Sequence, residues 1–130
     1  MTRYFHGGAP GLRRGDLISP RPADDQRHLV DGCPVCEARR AGTPSDYDRD
    51  HRFDRIYITT NRLIARGFAA GYPNGALYDV DPIGEIDPDP EHAESFAVPA
   101  ARVRAKIDGY VILRRGERRK LLQLAAGGSA

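Results

Sequence analysis

The chain has 130 residues, 40% hydrophobic and 29% charged, with a formal net charge of +2. That length suits one domain with one modest core, and the composition reads as that of a soluble globular chain, not a disordered one. No apolar run is long enough to span a bilayer, Met1-Thr2-Arg3 leads straight into Tyr4-Phe5 without a signal peptide's apolar region, and two Cys make no disulfide framework, so the cytoplasm is the expected compartment.

Tyr4-Phe5-His6 reads as a short strand. The glycines of Gly7-Gly8-Ala9-Pro10-Gly11 behind it let backbone approach a ligand closely or take φ > 0. Taken alone, His6 is a loop histidine with no task. Gly15-Asp16-Leu17-Ile18-Ser19-Pro20 is a turn into a short strand that Pro20 ends. Residues 21–54 are polar, rich in Pro, Gly, Asp and Arg, and without periodicity. A structureless loop of that length is uncommon in a compact domain, so something should hold it. Cys33-Pro34-Val35-Cys36 has the spacing of half a zinc knuckle, and His28 and His51 would complete a Cys2His2 set. Such an ion would staple the segment and do no chemistry, because no coordination position stays open to water. The same C-x-x-C also fits a redox pair or two ordinary loop thiols.

Arg55-Ile56-Tyr57-Ile58-Thr59-Thr60-Asn61 alternates with period 2, the pattern of a strand. Asn61 then caps a helix from Arg62 to about Ala70, with Leu63, Ile64, Gly67 and Phe68 along one stripe. Tyr57 is the one large ring on its face of the strand, and it is read as lining a ligand slot. Gly71-Tyr72-Pro73-Asn74-Gly75 is a turn. In the strand Ala76-Leu77-Tyr78-Asp79-Val80-Asp81, Tyr78 and Val80 face the core, and Pro82-Ile83-Gly84 breaks it. Glu85-Ile86-Asp87-Pro88-Asp89-Pro90 is extended, since each residue before a proline is pushed from the helical region. Ser95-Phe96-Ala97-Val98 is a short strand. In the strand 102–107, Val103, Ala105 and Ile107 face inward while Arg102, Arg104 and Lys106 face water. Tyr110 to Leu113 reads as one more strand, and residues 116–126 as a helix docked by Leu121, Leu122 and Leu124.

Charge is unevenly spread. Residues 79–94 carry seven acids and no Lys or Arg, while residues 102–120 carry eight bases against Asp108 and Glu117. Two solvated faces that attract each other weakly outweigh nucleic-acid binding here, because the basic segment has no interleaved aromatic besides Tyr110. No membrane partner is expected.

Several of these segments occur in an order that resembles a known family. They are Tyr4-Phe5-His6-Gly7, residues 15–20, Ile56-Tyr57-Ile58-Thr59, Ala76 to Pro82, the acidic Asp-Pro run, Ser95-Phe96 and Arg102-Val103. The set resembles the rifamycin (rifampin) ADP-ribosyltransferases of the ADP-ribosyltransferase superfamily. It covers residues 3 to about 107, apart from a Cys-containing insertion at about 21–54. The resemblance implies one ADP-ribosyltransferase-like domain over 1–130. Its fold would be a compact α+β domain around a split, mostly antiparallel sheet, with NAD bound as substrate between the halves. The family's catalytic triad of His, Tyr and acid would fall on His6, Tyr57 and Asp89, with Asp87 the runner-up for the acid. His6, Gly7, Gly8, Tyr57, Thr59 and Phe68 would contact NAD. The family's Thr after His-Gly is Gly8 here, its helical Trp-Gly is replaced by Gly67-Phe68 nearby, and the stretch between the acidic loop and Ser95 is shorter.

The implied reaction transfers ADP-ribose to an acceptor, a small molecule such as a rifamycin or a macromolecule. Breaking the nicotinamide–ribose bond gives an oxocarbenium-like transition state, which an enzyme favours by fixing the leaving group and placing negative charge near the sugar. Two alternatives share the fold. One is a relative of the tRNA 2′-phosphotransferases, which use NAD to remove an RNA phosphate. The other is a non-catalytic, zinc-stapled binding module.

Overall fold

The computed structural model describes residues 2–20, 55–90 and 94–125. Its strands are β1 (Tyr4–Gly8), β2 (Leu17–Ile18), β3 (Ile56–Thr59), β4 (Ala76–Ile83), β5 (Asp87–Pro88), β6 (Ser95–Val98) and β7 (Ala100–Asp108). Its helices are α1 (Arg62–Ala70) and α2 (Arg115–Ala125). The strands form one sheet in the order β2-β7-β4-β1-β3-β6-β5, with every neighbouring pair antiparallel. A mostly antiparallel sheet with two helices is the expected α+β class.

The sheet is buried on both faces at its centre. One face carries Ile56, Ile58, Tyr78, Val80, Val98 and Val103, packed with Ile18, Ala76 and Ala101. The Tyr78 hydroxyl donates to Ala9 O at 2.8 Å and accepts from Leu12 N–H, pinning the loop after β1 to this face. Burial pushes that phenol's pKa up. The other face carries Phe5 and Leu77 beneath Ala65 and Ala69 of α1, with Val111 beside them. β4 therefore reads as five consecutive buried residues, including Leu77 and Asp79, which simple alternation left outside.

α1 forms as the sequence predicts. Asn61 Oδ1 accepts from the N–H groups of Leu63 and Ile64 at 3.0 and 3.4 Å, so two otherwise orphaned donors are satisfied. Its docking face differs from the predicted stripe. Ala65 and Ala69 are fully buried, whereas Leu63, Ile64 and Gly67 are half-buried and Phe68 is exposed. The cause is Gly7: a Cβ there would lie 1.8 Å from Ala65 O and 2.7 Å from Ala69 N. The helix rests on bare strand backbone, and only its smallest residues fit between.

Four further differences have local causes. β4 continues through Pro82 to Ile83, because β1 ends opposite Val80 and leaves that stretch of β4 with β7 as its only registered neighbour. Ala105 is exposed because the β4–β7 register shifts around Arg104: Asp79 pairs with Ala105 and Val80 with Val103, so the extra residue turns Ala105 to the other face. Tyr110 to Leu113 is irregular, with Tyr110 at φ 51°. Finally, Leu122 points to solvent, and α2 is held by half-buried Glu117, Leu121 and Leu124, spaced as one helical stripe.

Candidate active site

β1 and β3 meet at one register pair, Phe5 opposite Thr59. Continuing that register would set Gly7 opposite Tyr57. No further pair forms; a side chain crosses instead, with His6 Nδ1 2.9 Å from Tyr57 O. A carbonyl can only accept, so Nδ1 carries the proton in this contact. The imidazole lies along its own strand beside Gly8, where a Cβ would approach His6 Nε2 to 2.8 Å. Gly8 thus leaves the space this ring occupies.

Alternation assigns the remaining side chains. Ile56 and Ile58 belong to the core face, so Tyr57 and Thr59 take the face of Phe5 and α1. Across β6 the pairs Tyr57–Ala97 and Thr59–Ser95 lead to β5, where Asp87 pairs with Ala97 and Asp89 N–H donates to Ser95 O at 2.9 Å. Tyr57, Asp87 and Asp89 therefore share one face, with Asp87 in the row of Tyr57 about two strand spacings, or roughly 10 Å, away. Arg55 lies on this face too, and its Nη2 is 4.0 Å from Asp87 Oδ2.

α1 walls this face on one side. Its Arg66 turns toward α2, donating to Asp108 at 2.7 Å and to Glu117 at 2.7 and 3.2 Å. At 100° per residue, Ile64 and Phe68 then lie on the opposite flank. α2 is anchored next to β7 through Asp108, so that opposite flank faces β3 and Tyr57. On that flank Ile64 is half-buried and the Phe68 ring is exposed.

The predicted residues thus divide by place. Tyr57, Asp87, Asp89 and Phe68 share the α1 face. His6 and Gly8 belong to the other face of β1, and His6 meets Tyr57 through its carbonyl at the opening between strands. Gly7 lies beyond the last β1–β3 pair, beneath α1. Thr59 is already engaged: its buried hydroxyl donates to Glu94 O at 2.8 Å and accepts from Asn61 N–H at 3.0 Å. It fixes the turn into α1. Cys33, Cys36, His28 and His51 lie outside the described residues.

Three neighbours escaped the sequence reading. Arg55 is two residues before Tyr57 on the same strand face, a spacing that would have flagged it. Ser95 is 3% exposed, and its Oγ has no hydrogen-bond partner among the described residues. Glu94 sits at φ 68°, and its carbonyl accepts from Thr59 Oγ1, Thr60 N–H and Thr60 Oγ1. Nothing in its sequence context signals that conformation. Among the described residues no cluster of three or more His, Cys, Asp or Glu could hold a metal ion, and no helix is long and apolar enough to cross a membrane.

The chain matches no family model and no curated protein.

Proposed function

We propose that the opening between β1 and β3 is an NAD site and that the chain transfers ADP-ribose from NAD to an acceptor. The observation that carries this reading is the His6–Tyr57 bond at the point where the β1–β3 ladder gives out after one pair. In this view the junction is the split of an ADP-ribosyltransferase-like sheet. The ring of Tyr57 stacks on nicotinamide, with Phe68 as the second wall. Backbone of Gly7 holds the carboxamide. His6, its Nδ1 proton given to Tyr57 O, turns its other edge to a ribose hydroxyl.

Asp89 supplies negative charge to the sugar as the C1′–N bond breaks. Nicotinamide leaves with the bonding pair, and the acceptor's nucleophile forms the new bond to C1′ and loses its proton. The resemblance puts the acid on Asp89, with Asp87 the runner-up, so Asp89 is assigned the electrostatic role. The residues need no side-chain nucleophile and no metal for this chemistry.

Incubation with labelled NAD and a panel of rifamycins, lysate protein and RNA tests the reading. Label on one class of acceptor identifies the substrate. NAD consumption with loss of an RNA 2′-phosphate would instead favour the phosphotransferase alternative, and absence of any NAD binding would favour the non-catalytic module. Elemental analysis of the same preparation reports whether Cys33, Cys36, His28 and His51 hold zinc; about one equivalent per chain is expected.

A further inference from the structure

The cations of the C-terminal third fall into two groups. Two of the three in β7 have partners: Arg102 donates to Gly15 O at 2.8 Å, and Arg104 lies 3.7 Å from Asp81. Those around α2, Arg114, Arg115, Arg118, Arg119 and Lys120, are all exposed to solvent, and none has an ion-pair partner among the described residues. The one acid of α2, Glu117, is turned inward against Arg66, and its Oε1 also accepts from Arg114 N–H.

Helical geometry then fixes what faces outward. With Glu117, Leu121 and Leu124 on the inner stripe, Leu121 reaching Gly67 of α1, Arg115, Arg119 and Leu122 lie on the opposite side with Arg118 beside them. The outer face of α2 thus carries Arg side chains and no carboxylate, with Arg115 to Arg119 rising about 6 Å along the axis at 1.5 Å per residue. The segment leading into it adds an aromatic ring: Tyr110 is 74% exposed and held in the left-handed region at φ 51°, while its neighbour Val111 is buried and donates its N–H to Gly75 O. From sequence alone this region reads as a solvated basic face drawn to the acidic stretch. The inward turn of Glu117 removes the acid that would have balanced it.

We propose that the outer face of α2, together with Tyr110, is a docking surface for single-stranded nucleic acid. Guanidinium forks match phosphate oxygens in pairs, and an exposed aromatic ring stacks on an unpaired base, which a duplex does not offer. An anionic membrane fits less well. A helix lying in a bilayer surface needs a free apolar face, and the apolar stripe of α2 is used against α1, leaving Leu122 alone outside. This surface is separate from the proposed NAD site: α2 sits on the β7 flank of α1, and the site on the β3 flank. The inference therefore stands whether or not the chain acts on NAD.

The test is a salt titration of fluorescein-labelled oligouridine binding to the full chain, read by anisotropy. The triple variant Arg115→Gln/Arg118→Gln/Arg119→Gln should lower the slope of log K against log salt by about 2, at ~0.7 per phosphate contact on a single strand. Arg104→Gln/Lys106→Gln should leave the slope unchanged. Tyr110→Ala should weaken binding at least about fivefold with no change in slope, the lower end for one lost base stack, and Tyr110→Phe should retain it. All changed side chains point to solvent, so circular dichroism of each variant should match the wild type. Failure of the wild type to bind at low salt, or an undiminished slope in the triple variant, would overturn the proposal. Binding to phosphatidylserine vesicles without binding to oligouridine would do the same.

Discussion

β1 is held differently by its two neighbours. On the β4 side five consecutive residues, Tyr4 to Gly8, pair with Val80 to Ala76 in unbroken register. On the β3 side there is one pair, and the His6 ring then reaches the carbonyl of Tyr57. A continuous ladder satisfies its backbone groups internally and presents little to a ligand. A junction bridged by a side chain leaves polar groups at an opening. The glycines of β1 follow the same division: Gly7 serves the scaffold by admitting α1, and Gly8 serves the opening by admitting the imidazole.

The sharpest way to break this contrast is at the scaffold. Gly7→Ala should push α1 off the strand, because its Cβ would sit 1.8 Å from a helix carbonyl that cannot swing aside. A loss of about 3 kcal/mol or more in chemical denaturation is expected, the upper end for overpacking. Within the proposed NAD site, Asp89→Asn should lower kcat for NAD turnover about 10²-fold with NAD affinity nearly unchanged, the size typical of one preorganised electrostatic group. Asp87→Asn, beside Arg55, should be mild; if it is the severe variant, the acid is Asp87.

Gly8→Ala sharpens the contrast with Gly7→Ala. Its Cβ meets the tip of a side chain rather than backbone, so melting should stay near wild type. NAD should bind up to about tenfold more weakly as His6 leaves Tyr57, the scale of one hydrogen bond. The smallest effect concerns α2. Hydrogen bonds from Arg66 and from Arg114 N–H hold the Glu117 carboxyl down to about 2. A depressed pKa stabilises the folded state fully above the ordinary carboxylate value of 4.5 and loses that contribution as pH falls toward 2. Hydrogen exchange of α2 amides should accelerate over that window, after correction for intrinsic rates, while β4 amides do not; Glu117→Gln should remove the pH dependence.

Much of the scaffold was legible because local signals agreed with the fold. Asn61 marks the start of α1, and the alternation at Ile56 to Thr59 and Ser95 to Val98 finds two paired strands. What sequence missed depends on contacts between distant segments. The docking face of α1 is set by Gly7, fifty-odd residues earlier, so small Ala65 and Ala69 go inward in place of the larger stripe. The bulge around Arg104 reversed Ala105, and no residue type announces it. At the candidate site, Tyr57 and the Asp-Pro acids were named from sequence. Their common face follows only from the β3–β6–β5 register, whereas Arg55 was legible from its two-residue spacing to Tyr57 and only its pairing with Asp87 needed the structure.

In the proposed function NAD binds at the side-chain-bridged junction, against Tyr57, and not on the laddered side of β1. Calorimetric titration of NAD into wild type and Tyr57→Ala tests it most directly. Saturable, one-site binding to the wild type is expected, with at least about a tenfold loss in the variant, the loss expected for one aromatic stack. Equal affinity for both proteins, or no binding to the wild type, would contradict it.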